Sequence, residues 1–397
     1  MAKDALRRVI FRVGLEGFVR NSRDIRRRRV YIRNYFGTQF NKKVLISYIT
    51  YPFRHKLSMD HNTLSEALLI AKVFRDMGYN VDVVEFDSVR KIDYCLYSMI
   101  FGFGDPLEGV YKSSEPTSVR TVYYGTGMHV CHQNHSTLER LRDVHQKTGV
   151  WLLSSARIVQ RTWSIQTTLV DAMVALGNDR VIDSYKKYYA GSIYRVPVTC
   201  LSPAERTDYI ESKNMMLART KFLWFGGAGA IHKGLDLLLE VFESHLEWEL
   251  YICGPITAEQ DFCEVYHRQL FDCYNIHTIG FVNVGSQEYT ELVNECAFVV
   301  LPSCSEGEAS SVINCMGSGL LPVVTETAGI RKTEYCFSIL DVSSEAVEMA
   351  IVDASSRSPD WLREMSIKCA LQTRVEHSPE AFMSQLSDSV RSIEVSL

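Results

Sequence analysis

The sequence predicts an α/β protein built from two doubly wound, Rossmann-like domains. Three observations lead there. Short apolar runs alternate with amphipathic stretches along most of the chain, and turn residues punctuate them. The clearest unit, residues 297–325, reads as strand, polar loop, helix and strand, which is one βαβ crossover. A length of 397 residues exceeds what a single hydrophobic core usually organises, so two domains are expected.

Composition narrows the class. A hydrophobic fraction of 46% and a charged fraction of 23% are those of a soluble globular protein. No apolar run approaches the ~20 residues of a spanning helix. Arg7, Arg8 and Arg12 break the opening stretch, so a signal peptide is not expected. Eleven cysteines without a Cys-x-x-Cys pair suggest buried thiols in a reducing cytoplasm. Residues 1–41 hold eleven cations against three acids, a local charge of +8 inside a chain of net charge -4. The acidic remainder argues against nucleic acid as a partner.

Residues 1–41 read as a basic N-terminal extension. Leu6, Val9, Ile10, Val13, Phe18 and Val19 are spaced roughly as a helix face, which Gly14 and Gly17 weaken. Two readings stand: an anchor on an anionic membrane surface, or a leader helix packed on the first domain.

Residues 42–200 form the first domain. The stretch 44–50 is a strand, Thr63-x-x-Glu66 is a capping box opening a helix to Asp76, and Gly78 closes it before a strand at 81–85. The connecting loop is long and carries Arg54, His55, Lys56 and His61. A strand at 94–100 runs into Phe101-Gly-Phe-Gly-Asp-Pro, which lacks the third glycine and a clear following helix, so it is no dinucleotide fingerprint. The next strand is 121–124, then a loop to His135 and a helix over 136–147. His129, His132 and His135 with Cys131 raise a metal set, but a loop placement argues against it, and no metal is expected. Residues 168–176 form a short helix or strand leading to Gly177-Asn178 and a helix at 179–187. A strand at 193–197 ends the domain.

A linker at 201–214 leads to the second domain, 215–375. A strand at 221–225 precedes Gly226-Gly-Ala-Gly-Ala-Ile-His-Lys-Gly234. Gly226 and Gly227 permit close backbone approach to a phosphate, and Lys233 adds a positive charge at a helix start. Leu235, Leu238, Leu239 and Phe242 mark that helix's core face. Strands at 250–253, 276–280 and 297–301 alternate with helices at 258–271 and 286–294. Beyond Pro359 the chain is helical, with a last helix at 376–397. In the 297–325 unit, Glu306 lies on a loop at a strand's carboxyl end. Ser310 and Ser311 open the helix, and Asn314 shares a face with Ser310.

Glu306-Gly307, a helix with Met316, then Gly319 and Pro322-Val323-Val324 resemble the nucleotide-sugar signature of the family-4 retaining glycosyltransferases, whose fold is GT-B. Asn314 stands where the family has a second Glu, and Ala228 where it usually has an Arg five residues before the lysine. The resemblance implies two Rossmann-like domains facing each other across a cleft, with the last helix crossing back onto the first. The implied reaction moves a sugar, with retention, from a nucleotide diphosphate donor to a glycan, lipid-linked or small-molecule acceptor, in polysaccharide or glycolipid synthesis. Glu306, His129 and Lys233 become the catalytic candidates. Gly226, Gly227, Phe281, Val282, Gly307, Ser310, Ser311 and Asn314 join Lys233 and Glu306 toward the donor. His61, Asn62 and Asn178 become acceptor-side candidates. The resemblance implies no cofactor and no metal. The cysteine pattern points to a cytoplasmic protein, and the anchor reading of residues 1–41 makes it peripheral at the inner membrane face. A nucleotide-sugar epimerase and a non-catalytic nucleotide-sugar-binding protein are the alternatives.

Overall fold

A computed structural model of the chain describes residues 24–55, 62–114, 117–201 and 207–395. The first sheet contains β1 (Tyr31–Ile32), β2 (Lys42–Tyr48), β3 (Tyr79–Glu85), β4 (Met99–Gly102), β5 (Arg120–Gly125), β6 (Ala172–Leu176) and β7 (Ile193–Val196). Their spatial order is β1-β3-β2-β4-β5-β6-β7. All neighbours run parallel except β1, which caps the edge antiparallel to β3. The second sheet contains β8 (Lys221–Phe225), β9 (Glu249–Cys253), β10 (Ile276–Gly280), β11 (Phe298–Leu301), β12 (Leu321–Thr325) and β13 (Phe337–Ile339). It is wholly parallel, in the order β10-β9-β8-β11-β12-β13.

These strands form because they are buried on both faces. Val44, Leu45, Ile46, Val81 and Val83 are fully buried in the first sheet, as are Phe222, Trp224, Val299, Val300 and Leu301 in the second. Parallel sheets covered by helices on both sides need such unbroken apolar runs. In the second sheet the winding direction reverses between β8 and β11. The crevice beyond the strands at that reversal is where open α/β sheets place ligands.

The structure departs from the sequence reading at several local points. The helix expected from Ser136 begins at Val130 and runs to Thr148, so His132 and His135 lie on a helix and His129 is its N-cap. No group of three or more metal-ligating side chains gathers among the described residues. The segment after β4 does continue into a helix, Asp105–Lys112, with Pro106 in its first turn. Glu66 does not close a capping box: its carboxylate accepts from the backbone N–H of Thr199 at 2.8 Å, 133 residues away. Asp208–Ser212 within the linker and Met215–Ala218 just after it are short helices. The helix expected over 258–271 is two, Gln260–Val265 and His267–Phe271.

The last helix, Pro379–Val395, packs on the first domain. Glu394 accepts from Lys42 at 2.6 Å and from the Tyr79 hydroxyl, while Arg120 donates to the Glu394 carbonyl at 2.9 Å. Within residues 24–41, Arg27 pairs with Glu85 and Asp87, and Arg28 reaches Asp87. Residues 1–23 and His61 lie outside the described residues.

Candidate active site at the domain joint

The loops after β8 and β11 carry the site. Trp224, fully buried in β8, donates its indole N–H to the Lys233 carbonyl at 3.4 Å and fixes the end of the glycine loop. Gly226 rests against the Trp224 ring, where a Cβ would approach to 2.9 Å, and Gly227 borders open space. The N–H groups of Gly229 and Ala230 both donate to the buried Glu259 carboxylate. That half of the loop is therefore held by an internal anion.

Glu306 meets Lys233 across the reversal point. The Lys233 ammonium donates to Glu306 Oε1, Ser303 Oγ donates to the same oxygen at 3.1 Å, and Arg157 Nη1 lies 3.1 Å from Oε2. Glu306 is not the exposed loop carboxylate its sequence context suggests: its side chain is only 10% exposed. Burial alone would raise its pKa, but the charges of Lys233 and Arg157 outweigh burial and hold it well below the ordinary carboxylate range. Glu306 is thus ionised at any physiological pH.

His232 links the domains behind that cluster. Its Nε2 donates to the Ser305 carbonyl, and its Nδ1 faces Thr137 Oγ1 of the first domain at 2.8 Å. Burial, outweighing the attraction of Glu306, lowers its pKa to about 4, so the ring is neutral. Thr137 lies on the helix Val130–Thr148, which also sends Arg140 into a buried ion pair with Asp236.

His129 is placed elsewhere. Its Nε2 lies 2.7 Å from Thr167 Oγ1, its Nδ1 accepts from the Cys131 N–H at 3.2 Å, and its ring stacks on Tyr188 at 4.0 Å. Burial lowers it to about 4 as well. All of these contacts lie within the first domain.

Asn62 and Asn314, expected on opposite sides of the cleft, meet each other. Asn314 Nδ2 donates to Asn62 Oδ1 at 3.0 Å, and Asn314 Oδ1 accepts from the Leu201 N–H at 2.7 Å. Both side chains are buried in the joint between the domains. Val198–Thr199 crosses beside them, its two N–H groups bonded to Glu308 and Glu66. Asn178 caps the helix Asp179–Lys186 and donates to the carbonyls of Glu326 and Ile330 at 2.9 and 3.1 Å. It lines an interdomain cleft of about 950 Å³ whose walls include Glu308 but neither Glu306 nor Lys233. Ser310 and Ser311 are half-buried at the helix start. Phe281 is 64% exposed beyond β10, and Val282 is buried.

Glycines bring the two sets of loops together. A Cβ on Gly307 would lie 2.4 Å from the Thr126 carbonyl oxygen, and a Cβ on Gly177 would lie 3.1 Å from the Gly307 oxygen. The loops after β5 and β6 thus touch the Glu306 loop backbone to backbone. Sequence reading missed Arg157 and His232. His232 adjoins Lys233 and had a local signal, whereas Arg157 is 149 residues from Glu306 and had none.

Comparisons with known proteins bear on the second domain and on the fold. Residues 219–354 match the family model "Glycosyl transferases group 1". That span contains Lys233, Glu306 and Asn314. A search of curated proteins finds no sequence match. Among solved structures, sucrose-phosphate synthase from Thermosynechococcus elongatus superposes with a TM-score of 0.60 at 12% identity, covering 90% of this chain and 100% of that one. Anabaena HepE, solved with UDP and glucose, gives 0.56 at 10% identity, covering 89% and 100%. TarM gives 0.51 at 11% identity over 73% of this chain, which spans about half (54%) of TarM. The chain has the GT-B fold.

Proposed function

We propose that the chain is a retaining glycosyltransferase of the family-4 type, moving a sugar from a nucleotide diphosphate donor to a glycan, lipid-linked or small-molecule acceptor. The observation that carries this reading is the buried pair of Lys233 and Glu306 at the reversal point between β8 and β11. Breaking the donor's anomeric bond builds negative charge on the leaving diphosphate. A fixed ammonium in a site shielded from water stabilises that charge strongly. Glu306, ionised and anchored, accepts hydroxyls of the donor sugar and favours positive charge on its ring. Phe281 offers an exposed ring against which a base can stack. HepE's structures with UDP and with UDP-glucose support a nucleotide sugar as the ligand class.

The test is a panel of nucleotide diphosphate sugars assayed for thermal stabilisation, followed by transfer to candidate acceptors. A specific donor at ~100 times its dissociation constant adds roughly 2.7 kcal/mol. Lys233→Ala should abolish that gain. A panel without any shift overturns the reading.

A second reading rests on Asn314. Its carboxamide is engaged with Asn62 and Leu201 at the joint, which favours a protein that binds nucleotide sugar without turning it over. Stabilisation by a donor without transfer or epimerisation decides for it. The basic residues 1–41 support a further proposal, peripheral attachment to anionic lipid. Full-length protein should sediment with anionic vesicles and release at about 0.5 M salt. Full-length protein that stays in the supernatant with anionic vesicles removes that proposal.

A further inference from the structure

Arg157 occupies ground that the glycine loop leaves uncovered. Position 228, the residue before Gly229, is an alanine and exposed. Arg157 comes from the first domain, yet its Cβ would sit 3.3 Å from a Cβ placed on Gly229. Its guanidinium runs along the loop to Glu306 Oε2, the carboxylate that Lys233 holds from the other side. Two cations from two domains thus converge on one carboxylate, at the point where the sheet presents its loops.

The position of Arg157 is built. Gln133 Nε2 donates to the Arg157 carbonyl at 3.1 Å. Asn134 both donates to the Val159 carbonyl at 3.0 Å and accepts from the Val159 N–H at 2.9 Å. Both residues lie on the helix Val130–Thr148. That helix is locked to the second domain by Arg140 with Asp236 and by Thr137 with His232. Upstream, Ser154 bonds the Asp261 carboxylate of the second domain. The segment bearing Arg157 is therefore tied at both ends, while its side chain stays 49% exposed and open to a ligand.

We propose that Arg157 is the second cation of the diphosphate site, supplied by the first domain, so that the site is complete only when the two domains are docked. A guanidinium presents paired N–H donors that match phosphate oxygens, which a lysine's point charge does not. Lys233 grips the diphosphate from within the second domain, and Arg157 closes over it from outside. This rests on the reading of the Lys233–Glu306 site as a nucleotide diphosphate site.

Calorimetric titration of the full chain with inorganic pyrophosphate and with UDP tests it, alongside melting temperatures. Arg157→Ala should weaken pyrophosphate binding about 10-fold to 100-fold, the scale of a charge-assisted hydrogen-bonded contact. Its melting temperature should stay close to wild type, because the side chain is half-exposed. Arg157→Lys should fall between the two. Unchanged binding in Arg157→Ala, with binding lost in Lys233→Ala, overturns the assignment of Arg157 and leaves the site intact. Unchanged binding in both variants, or no binding by the wild type, overturns the diphosphate site itself and Arg157 with it.

Discussion

Glu306 and Glu66 are both buried carboxylates, and their surroundings push them in opposite directions. Glu306 has Lys233 and Arg157 against it, and its folded pKa is depressed. A depressed pKa means stability that is present above the unfolded value, 4.5, and lost as pH falls below it. Glu306→Gln leaves Lys233 buried without its counter-charge, a loss on the order of 3–5 kcal/mol. Transfer in the folded fraction should fall too, by about 10²-fold. Urea unfolding and turnover on this one variant check both, and a stable, active protein refutes both. Among the described residues, Glu66 is bonded by the Thr199 N–H and hydroxyl and faces no cation, and burial raises it to about 7. A raised pKa means stability that is present below 4.5 and lost as pH rises through 7. Glu66→Gln, fixed neutral with an acceptor oxygen kept for Thr199, should exceed wild-type stability near pH 8 by roughly 3 kcal/mol and match it near pH 5. Denaturation curves at the two pH values decide; a variant weaker at pH 8 means the carboxylate is needed ionised.

Among the elements, the helix Val130–Thr148 shows what sequence could and could not disclose. Strands were legible because burial on both faces demands unbroken apolar runs, as at Val299, Val300 and Leu301. The Glu306 and Lys233 loops were legible because glycines, a carboxylate and a lysine stand at strand ends. This helix's first turn was not legible, because Gly125-Thr-Gly-Met and a histidine-rich run read as loop until the N-cap geometry of His129 is known. Nor was its role. Arg140 and Asp236 are 96 residues apart, and no local pattern joins them. Their buried pair makes a test: Asp236→Asn should cost about 3–5 kcal/mol, because it strands a guanidinium. Arg140→Met with Asp236→Leu should recover most of that loss, since an apolar pair refills the same space. Calorimetric melting of the three proteins checks it. A double variant as unstable as the single one would mean that the charges themselves hold the helices together.

At the scale of the whole molecule, the two domains are docked through contacts that only glycine permits. Gly307 lies where a Cβ would be 2.4 Å from the Thr126 carbonyl oxygen, and the neighbour is backbone, which cannot swing aside. Gly307→Ala must therefore displace the loop after β5, at a cost typical of overpacking, about 1–3 kcal/mol. Neither sheet needs to change, because Gly307 belongs to a loop and lies outside the strands. The strain should instead be relieved at the joint, where Val198–Leu201 crosses between the domains. Small-angle scattering of Gly307→Ala should then show a larger radius of gyration than wild type, with circular dichroism unchanged. Opening also draws the Arg157 segment away from Glu306, because that segment rides on the first domain. Pyrophosphate affinity should consequently fall in Gly307→Ala even though the substitution removes no charge. An unchanged scattering profile with unchanged affinity would mean that the loops absorb the methyl locally, and that glycine at 307 does not set the closure of the cleft.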